Sequence, residues 1–180
     1  MTCITGCKTD GGVLLGGDAL GSSGYSGNVN SESKVFRLSR EVACGYTSSF
    51  RMGQVLRFHV TPPQISVDEL QWAVAEFIPV IREAFRAAGY SEIHNNEETG
   101  GTFLLAVRAR LFTVQSDFSV LENRTAYSAC GSGQSFAMGA MHALWTPKVK
   151  PRQLLRAGLL AAEEFATGVR GPFSFTSTSA

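Results

Sequence analysis

Short apolar segments broken by turn residues come in two batches along this chain, and each batch is followed by a pair of helix-forming stretches. The first batch is residues 2–9 and 12–18, hinged at Asp10-Gly11-Gly12, then Lys34 to Leu38 and Glu41 to Tyr46. Asp-Gly between apolar runs is a hairpin signal, because both residues tolerate the positive φ of a tight turn. The second batch is residues 102–115, which read as strand, turn, strand, and residues 126–130; a last strand lies near Phe173 to Phe175. Batches of strands argue against an alternating βαβ protein and predict two stacked sheets covered by helices on both sides.

The first helix is expected from Ser49 to about Val60, ended by Thr61-Pro62-Pro63. A second starts at Ser66, where Glu69 follows three residues after a Ser in a capping-box pattern. Its apolar face runs through Leu70, Val74, Phe77, Ile78, Ile81 and Phe85 to a stop near Gly89, with a kink expected at Pro79. Gly131-Ser132-Gly133 opens a third helix that ends at Leu144, and a fourth covers about Pro151 to Ala166. Residues 19–33 are rich in Gly, Ser and Asn and read as a long loop, a length that favours a functional role. His94 to Glu98 reads as a polar surface loop.

The chain has 180 residues, which suits one domain spanning 1–180. A net charge of +1 gives no electrostatic case for nucleic acid or an anionic membrane. Cys3, Cys7, Cys44 and Cys130 form no C-x-x-C pair, and His59, His94 and His142 are scattered, so buried thiols are expected and neither a metal nor a cofactor. No Walker or G-x-G-x-x-G motif opens a helix at the right place. With no secretory signal and no apolar run long enough to span a bilayer, the expected compartment is the cytoplasm.

Chemistry is concentrated at the start of the chain. Met1 precedes Thr2, a residue small enough for the initiator to be trimmed, and trimming would leave an α-amine with a pKa near ~7.7–8.0. A Thr hydroxyl is a weak nucleophile until a base takes its proton, and an N-terminal Thr carries that base on its own backbone. Gly16-Gly17-Asp18 ends the second strand, so the hairpin returns Asp18 to the N-terminus; Lys34 heads the next strand pair, where its charge would lower the pKa of the Thr2 hydroxyl. Cys3 is a competing nucleophile, but alternation along a strand points it to the other face, into the core.

These residues and their spacing carry a resemblance to the proteasome β-subunit family, nearest its bacterial heat-shock peptidase branch. The motifs are the Thr-x-Ile start, the Gly-Gly-Asp, the Ser-Lys-Val-Phe-Arg-Leu around Lys34, and Ala129-Cys130-Gly131-Ser132-Gly133 before an Ala-rich helix. Sixteen residues separate Thr2 from Asp18 and sixteen more separate Asp18 from Lys34, as in that family. The resemblance implies an α+β, four-layer αββα N-terminal-nucleophile hydrolase and a threonine-type peptidase or amidase. It implies Thr2 as nucleophile, Asp18 and Lys34 tuning it, Ser132 bonding its amine, the amide near Ser48 as oxyanion donor, and Ser22 with Ser48 flanking a peptide substrate. It also implies a homo-oligomeric ring and an ATP-dependent unfoldase partner, with a peptide or protein as substrate.

Two places depart from the family pattern. Thr47-Ser48-Ser49-Phe50-Arg51 stands where the family has a Gly/Ala-rich turn, and Thr167-Gly168-Val169-Arg170 stands where many members have a supporting Asp and Ser. They leave two alternatives: a catalytically idle assembly or binding subunit, and a non-peptide amide hydrolase on the same fold.

Overall fold

The computed structural model describes residues 1–23, 26–94 and 97–179. Its strands are β1 (Ile4–Thr9), β2 (Gly12–Gly17), β3 (Leu20–Ser23), β4 (Ser26–Val29), β5 (Val35–Arg37), β6 (Val42–Tyr46), β7 (Glu92–His94) and β8 (Glu97–Thr99), then β9 (Phe103–Val107), β10 (Arg110–Val114), β11 (Val120–Glu122), β12 (Tyr127–Cys130) and β13 (Ser174–Ser177). The helices are α1 (Phe50–His59), α2 (Glu69–Trp72), α3 (Ile78–Ala87), α4 (Gln134–Leu144) and α5 (Pro151–Phe165).

The strands assemble into two main antiparallel sheets, ordered β12-β1-β2-β13 and β11-β10-β9-β6-β5. Alternation along β1 shows how the layers are built. Ile4 packs between the sheets with Val13, Leu15, Val35, Ala43, Leu104 and Leu111, whereas Cys3 and Cys7 point the other way, onto α4 and α5. Leu154, Leu155 and Leu159 of α5 cover that outer face. On the other sheet, Val42, Cys44 and Tyr46 turn toward Met52, Val55 and Leu56 of α1 and Phe77, Ile81 and Phe85 of the α2–α3 stretch. Each fully buried aliphatic or aromatic side chain in these layers contributes ~1.5–3 kcal/mol of transfer free energy. The result is a four-layer αββα sandwich, the α+β arrangement expected. Among the described residues no helix is long and apolar enough to cross a membrane.

Five local features differ from the sequence expectation. The span 19–33 is not a plain loop: Leu20 pairs with Val29 and Ser22 with Gly27 in the β3–β4 hairpin, a pairing of Gly- and Ser-rich strands that hydrophobic patterning cannot show. His94 to Glu98 is likewise part of the β7–β8 hairpin, with Asn95 and Asn96 outside the described residues. The Glu98 carboxylate is gripped by Arg82 and Arg86, with Nη2–Oε2 distances of 2.7 and 2.6 Å. The cap of α2 is Asp68 rather than Ser66: its Oδ1 accepts from the Leu70 and Gln71 amides at 2.9 and 3.3 Å, and Arg110 Nη1 holds its Oδ2 at 2.6 Å.

Pro79 acts one turn earlier than expected. Lacking an N–H, it cannot bond a carbonyl four residues back. The chain widens into a π-helical turn over Ala73–Phe77, where the Ile78 amide reaches the Ala73 carbonyl, and α3 then starts afresh with Pro79 in its first turn. The last strand also lies one residue further along, at Ser174–Ser177, because its partner β2 fixes the register through Ser174–Gly17.

Candidate active site

The β1–β2 register brings the N-terminus and Asp18 together. Ile4 lies opposite Gly17, so the next positions outward, Cys3 and Asp18, face each other, and the Asp18 amide reaches the Cys3 carbonyl at 3.4 Å. Asp18 Oδ1 accepts from the Cys3 amide and Oδ2 from the Leu20 amide, both at 3.0 Å. The carboxylate is thereby fixed by the backbone before any charge partner is considered.

That partner is Lys34, which immediately precedes β5. Its Nζ lies 3.0 Å from both Asp18 oxygens, 2.8 Å from Thr2 Oγ1 and 2.7 Å from the Leu20 carbonyl. Asp18 and Lys34 are each only 1% exposed, and Thr2 is 6% exposed. A buried ammonium without partners would be strongly unfavourable; here oxygens surround it. Burial pulls the Lys34 pKa below its ordinary value and the Asp18 carboxylate opposes that shift. An ammonium donating to Thr2 Oγ1 stabilises negative charge on that oxygen, which is what activates a hydroxyl as a nucleophile.

The turn between β12 and α4 supplies the other side. The Thr2 amide donates to Ser132 Oγ at 3.0 Å, and the Thr2 carbonyl accepts from the Gly133 amide at 3.2 Å and from Ser132 Oγ at 3.3 Å. Asp18 bonds Lys34 and the Cys3 and Leu20 amides, while Ser132 is the side chain at the Thr2 nitrogen. Gly131 makes this docking feasible. Its φ is +97°, and a Cβ there would lie 2.3 Å from the Thr2 carbonyl oxygen. Gly131→Ala is therefore expected to lower stability by ~2–3 kcal/mol, read from urea denaturation, and to displace Thr2 from Ser132.

Met1 occupies the mouth of the site. Its carbonyl accepts a short hydrogen bond from Thr2 Oγ1, and its side chain runs over Gly168, where a Cβ would sit 2.0 Å from Met1 Cβ. On one side of Met1 lies a cleft of about 330 Å³ lined by Thr2, Ser22, Lys34, Tyr46, Ser48 and Phe50. Ser22 projects from β3 into this cleft, and Ser48 from the turn before α1, so the two flank it. β3 is hydrogen-bonded to β4 alone among the described strands, which leaves its other edge open to an extended chain.

Ser48 has φ +60°, in the left-handed region, and Thr102 N–H donates to its Oγ at 3.3 Å. Its own amide has no acceptor among the described residues. That free N–H stands at the entrance to α1, where Ser49 caps the helix and the helix dipole favours negative charge. Phe50 lies with its ring 5.8 Å from Lys34 Nζ and forms a wall of the cleft.

Cys3, next to the nucleophile candidate, is fully buried against α4 and α5, and burial pushes its thiol pKa up to about 12, so it stays protonated. Two contributors escaped the sequence. The Leu20 carbonyl is main chain and carries no sequence signal, and Gly131 was legible only as part of the Gly131-Ser132-Gly133 motif, with no sign of its close approach to Thr2. At the other departure from the family pattern, Thr167 and Arg170 line a second cleft on the far side of Met1.

No family model matches the chain, and no curated protein sequence matches it. Among solved structures it is similar to Thiobacillus denitrificans BPH, at 22% identity and a TM-score of 0.81 over 98% of this chain and 97% of that one. A structure of the same protein in complex with epoxomicin aligns at 22% identity and a TM-score of 0.79, covering 98% of each chain. Eukaryotic HslV from Trypanosoma brucei aligns at 16% identity and a TM-score of 0.70, covering 99% of each. These are proteasome-like N-terminal-nucleophile hydrolases, and the chain shares their fold.

Proposed function

We propose that this chain is a threonine-type peptidase in which Thr2, freed of Met1, is the N-terminal nucleophile. The observation that carries the reading is the buried Lys34 ammonium, held by Asp18 and donating to Thr2 Oγ1 at 2.8 Å. No packing requirement explains a lysine 1% exposed and aimed at a hydroxyl.

In the proposed reaction the Thr2 α-amine takes the hydroxyl proton as Oγ1 attacks the substrate carbonyl. The Ser48 amide receives the oxyanion, a donor worth ~3 kcal/mol of barrier, and Lys34 stabilises the charge on Oγ1 as it develops. The amine passes its proton to the departing nitrogen as the C–N bond breaks, leaving an ester on Thr2. Water then attacks that ester and regenerates the hydroxyl. Ser132 holds the amine throughout, and Asp18 holds Lys34. The substrate lies as an added strand between the β3 edge and the Ser48 turn.

One domain of this kind is proposed to work within a homo-oligomeric ring. The support is exposed apolar surface on α4 and α5, where the Phe136 and Phe165 rings lie 5.7 Å apart at 41% and 68% exposure. An ATP-dependent unfoldase partner and a cytoplasmic setting belong to the same proposal.

The reading requires that Met1 be absent from the mature protein. Intact-mass measurement is expected to show its loss, and epoxomicin, which the Thiobacillus protein binds, is expected to add covalently to Thr2. Met1 retained in protein purified from its own cell would overturn the reading.

A further inference from the structure

The second cleft, about 490 Å³, is lined by Met1, Leu20, Ser22, Ser26, Thr167 and Arg170, and it meets the first at Met1. Which half of a substrate each cleft would take follows from the proton path. The α-amine must hand its proton to the departing nitrogen, so the leaving half has to pass within hydrogen-bond reach of Thr2 N. In this structure the group attached to Thr2 N is Met1, and it runs across Gly168 toward Thr167. Loss of Met1 vacates that track. The acyl half then takes the other cleft, where Lys34 and the Ser48 amide stand.

Arg170 lines the vacated track. Its carbonyl accepts from the Ala19 amide at 2.9 Å, which ties its backbone to the residue beside Asp18. Its side chain is exposed and, among the described residues, has no carboxylate partner, so its guanidinium is open to a ligand in the cleft. Glu163, on the helix before it, has its Oε1 taken by the Gly171 amide at 2.8 Å. A guanidinium presents a planar fork of donors that matches a carboxylate.

We infer that the cleft beside Arg170 receives the leaving-group half of the substrate, and that Arg170 selects peptides with a carboxylate at the first or second position after the scissile bond. This specificity rests on the Thr2 peptidase reading. The chemistry is the acyl transfer already described; Arg170 changes no bond and acts on binding alone.

The test uses the Met1-free full chain and internally quenched peptides that differ only after the scissile bond, carrying Glu, Gln or Lys. The Glu peptide is expected to exceed the Gln peptide in kcat/KM by about three- to tenfold, the advantage shrinking as salt screens the pair. Arg170→Gln is expected to level the series, and Arg170→Glu to reverse it in favour of Lys. An unchanged ranking in Arg170→Glu overturns the inference. Epoxomicin addition to Thr2 is followed in the same samples, because an epoxyketone has no leaving-group half. Adduct formation without any charge preference sinks the Arg170 assignment alone, whereas absence of adduct in the wild-type chain sinks the Thr2 reading and the assignment with it.

Discussion

Thr2→Ala protein freed of Met1 is expected to hydrolyse a fluorogenic peptide at least about 10⁴-fold more slowly than the wild type. It is also expected to fold. Removing the Thr2 hydroxyl deletes one hydrogen bond to Lys34, while Asp18 and the Leu20 carbonyl still hold the ammonium, so the stability lost is about 1 kcal/mol. A large kinetic effect beside a small stability effect separates a nucleophile from a structural threonine. Thr2→Ser should retain a measurable fraction of the rate, since hydroxyl and amine both persist. The pH profile carries the second half of the argument. The base works only when neutral, so the rate should fall as pH drops below ~7.7–8.0, the range of a free α-amine. Full activity in Thr2→Ala would move the chemistry elsewhere.

How much of this was legible before the structure depends on what each residue's signal rests on. The two-sheet architecture was visible because strand batches and helix pairs follow from apolar periodicity, and β1 alternates cleanly between Ile4 inside and Cys3 and Cys7 outside. Asp18 could be placed beside the N-terminus from the hairpin turn alone, since register follows from turn position. The β3–β4 hairpin could not, because Gly21, Ser22 and Gly27 have no apolar face to give a period. The Leu20 carbonyl that completes the shell around Lys34 belongs to the same unreadable segment. Ser66 and Asp68 compete for one cap, and the competition is settled by Arg110, which lies 42 residues away and holds the Asp68 carboxylate. The Arg170 cleft was hidden for a related reason: its walls come from β3, β4 and the segment after α5, and only folding puts them around Met1.

The Asp18–Lys34 pair is expected to show the largest stability effects in the molecule. Lys34→Met leaves a carboxylate 1% exposed with only the Cys3 and Leu20 amides to satisfy it, and Asp18→Asn leaves a buried ammonium without its counter-ion. Each single change should cost about 3–5 kcal/mol in urea denaturation, because removing one member of a buried pair strands the other charge. The double variant Asp18→Asn with Lys34→Met strands neither, and should recover most of that loss. Its peptidase rate should stay as low as that of Lys34→Met, since no cation remains beside Thr2 Oγ1. The dissociation of stability from rate is the informative outcome. Additive losses would mean that the two charges do not sense each other, and recovered activity would mean that the ammonium has no part in activating Thr2. Burial gives a further check: because it lowers the Lys34 pKa, the rate should fall on the alkaline side, beginning below the ~10.4 of a free lysine. With the amine setting the acid limb, the wild-type profile is then a bell, and a lysine that only fills space would leave its alkaline limb missing.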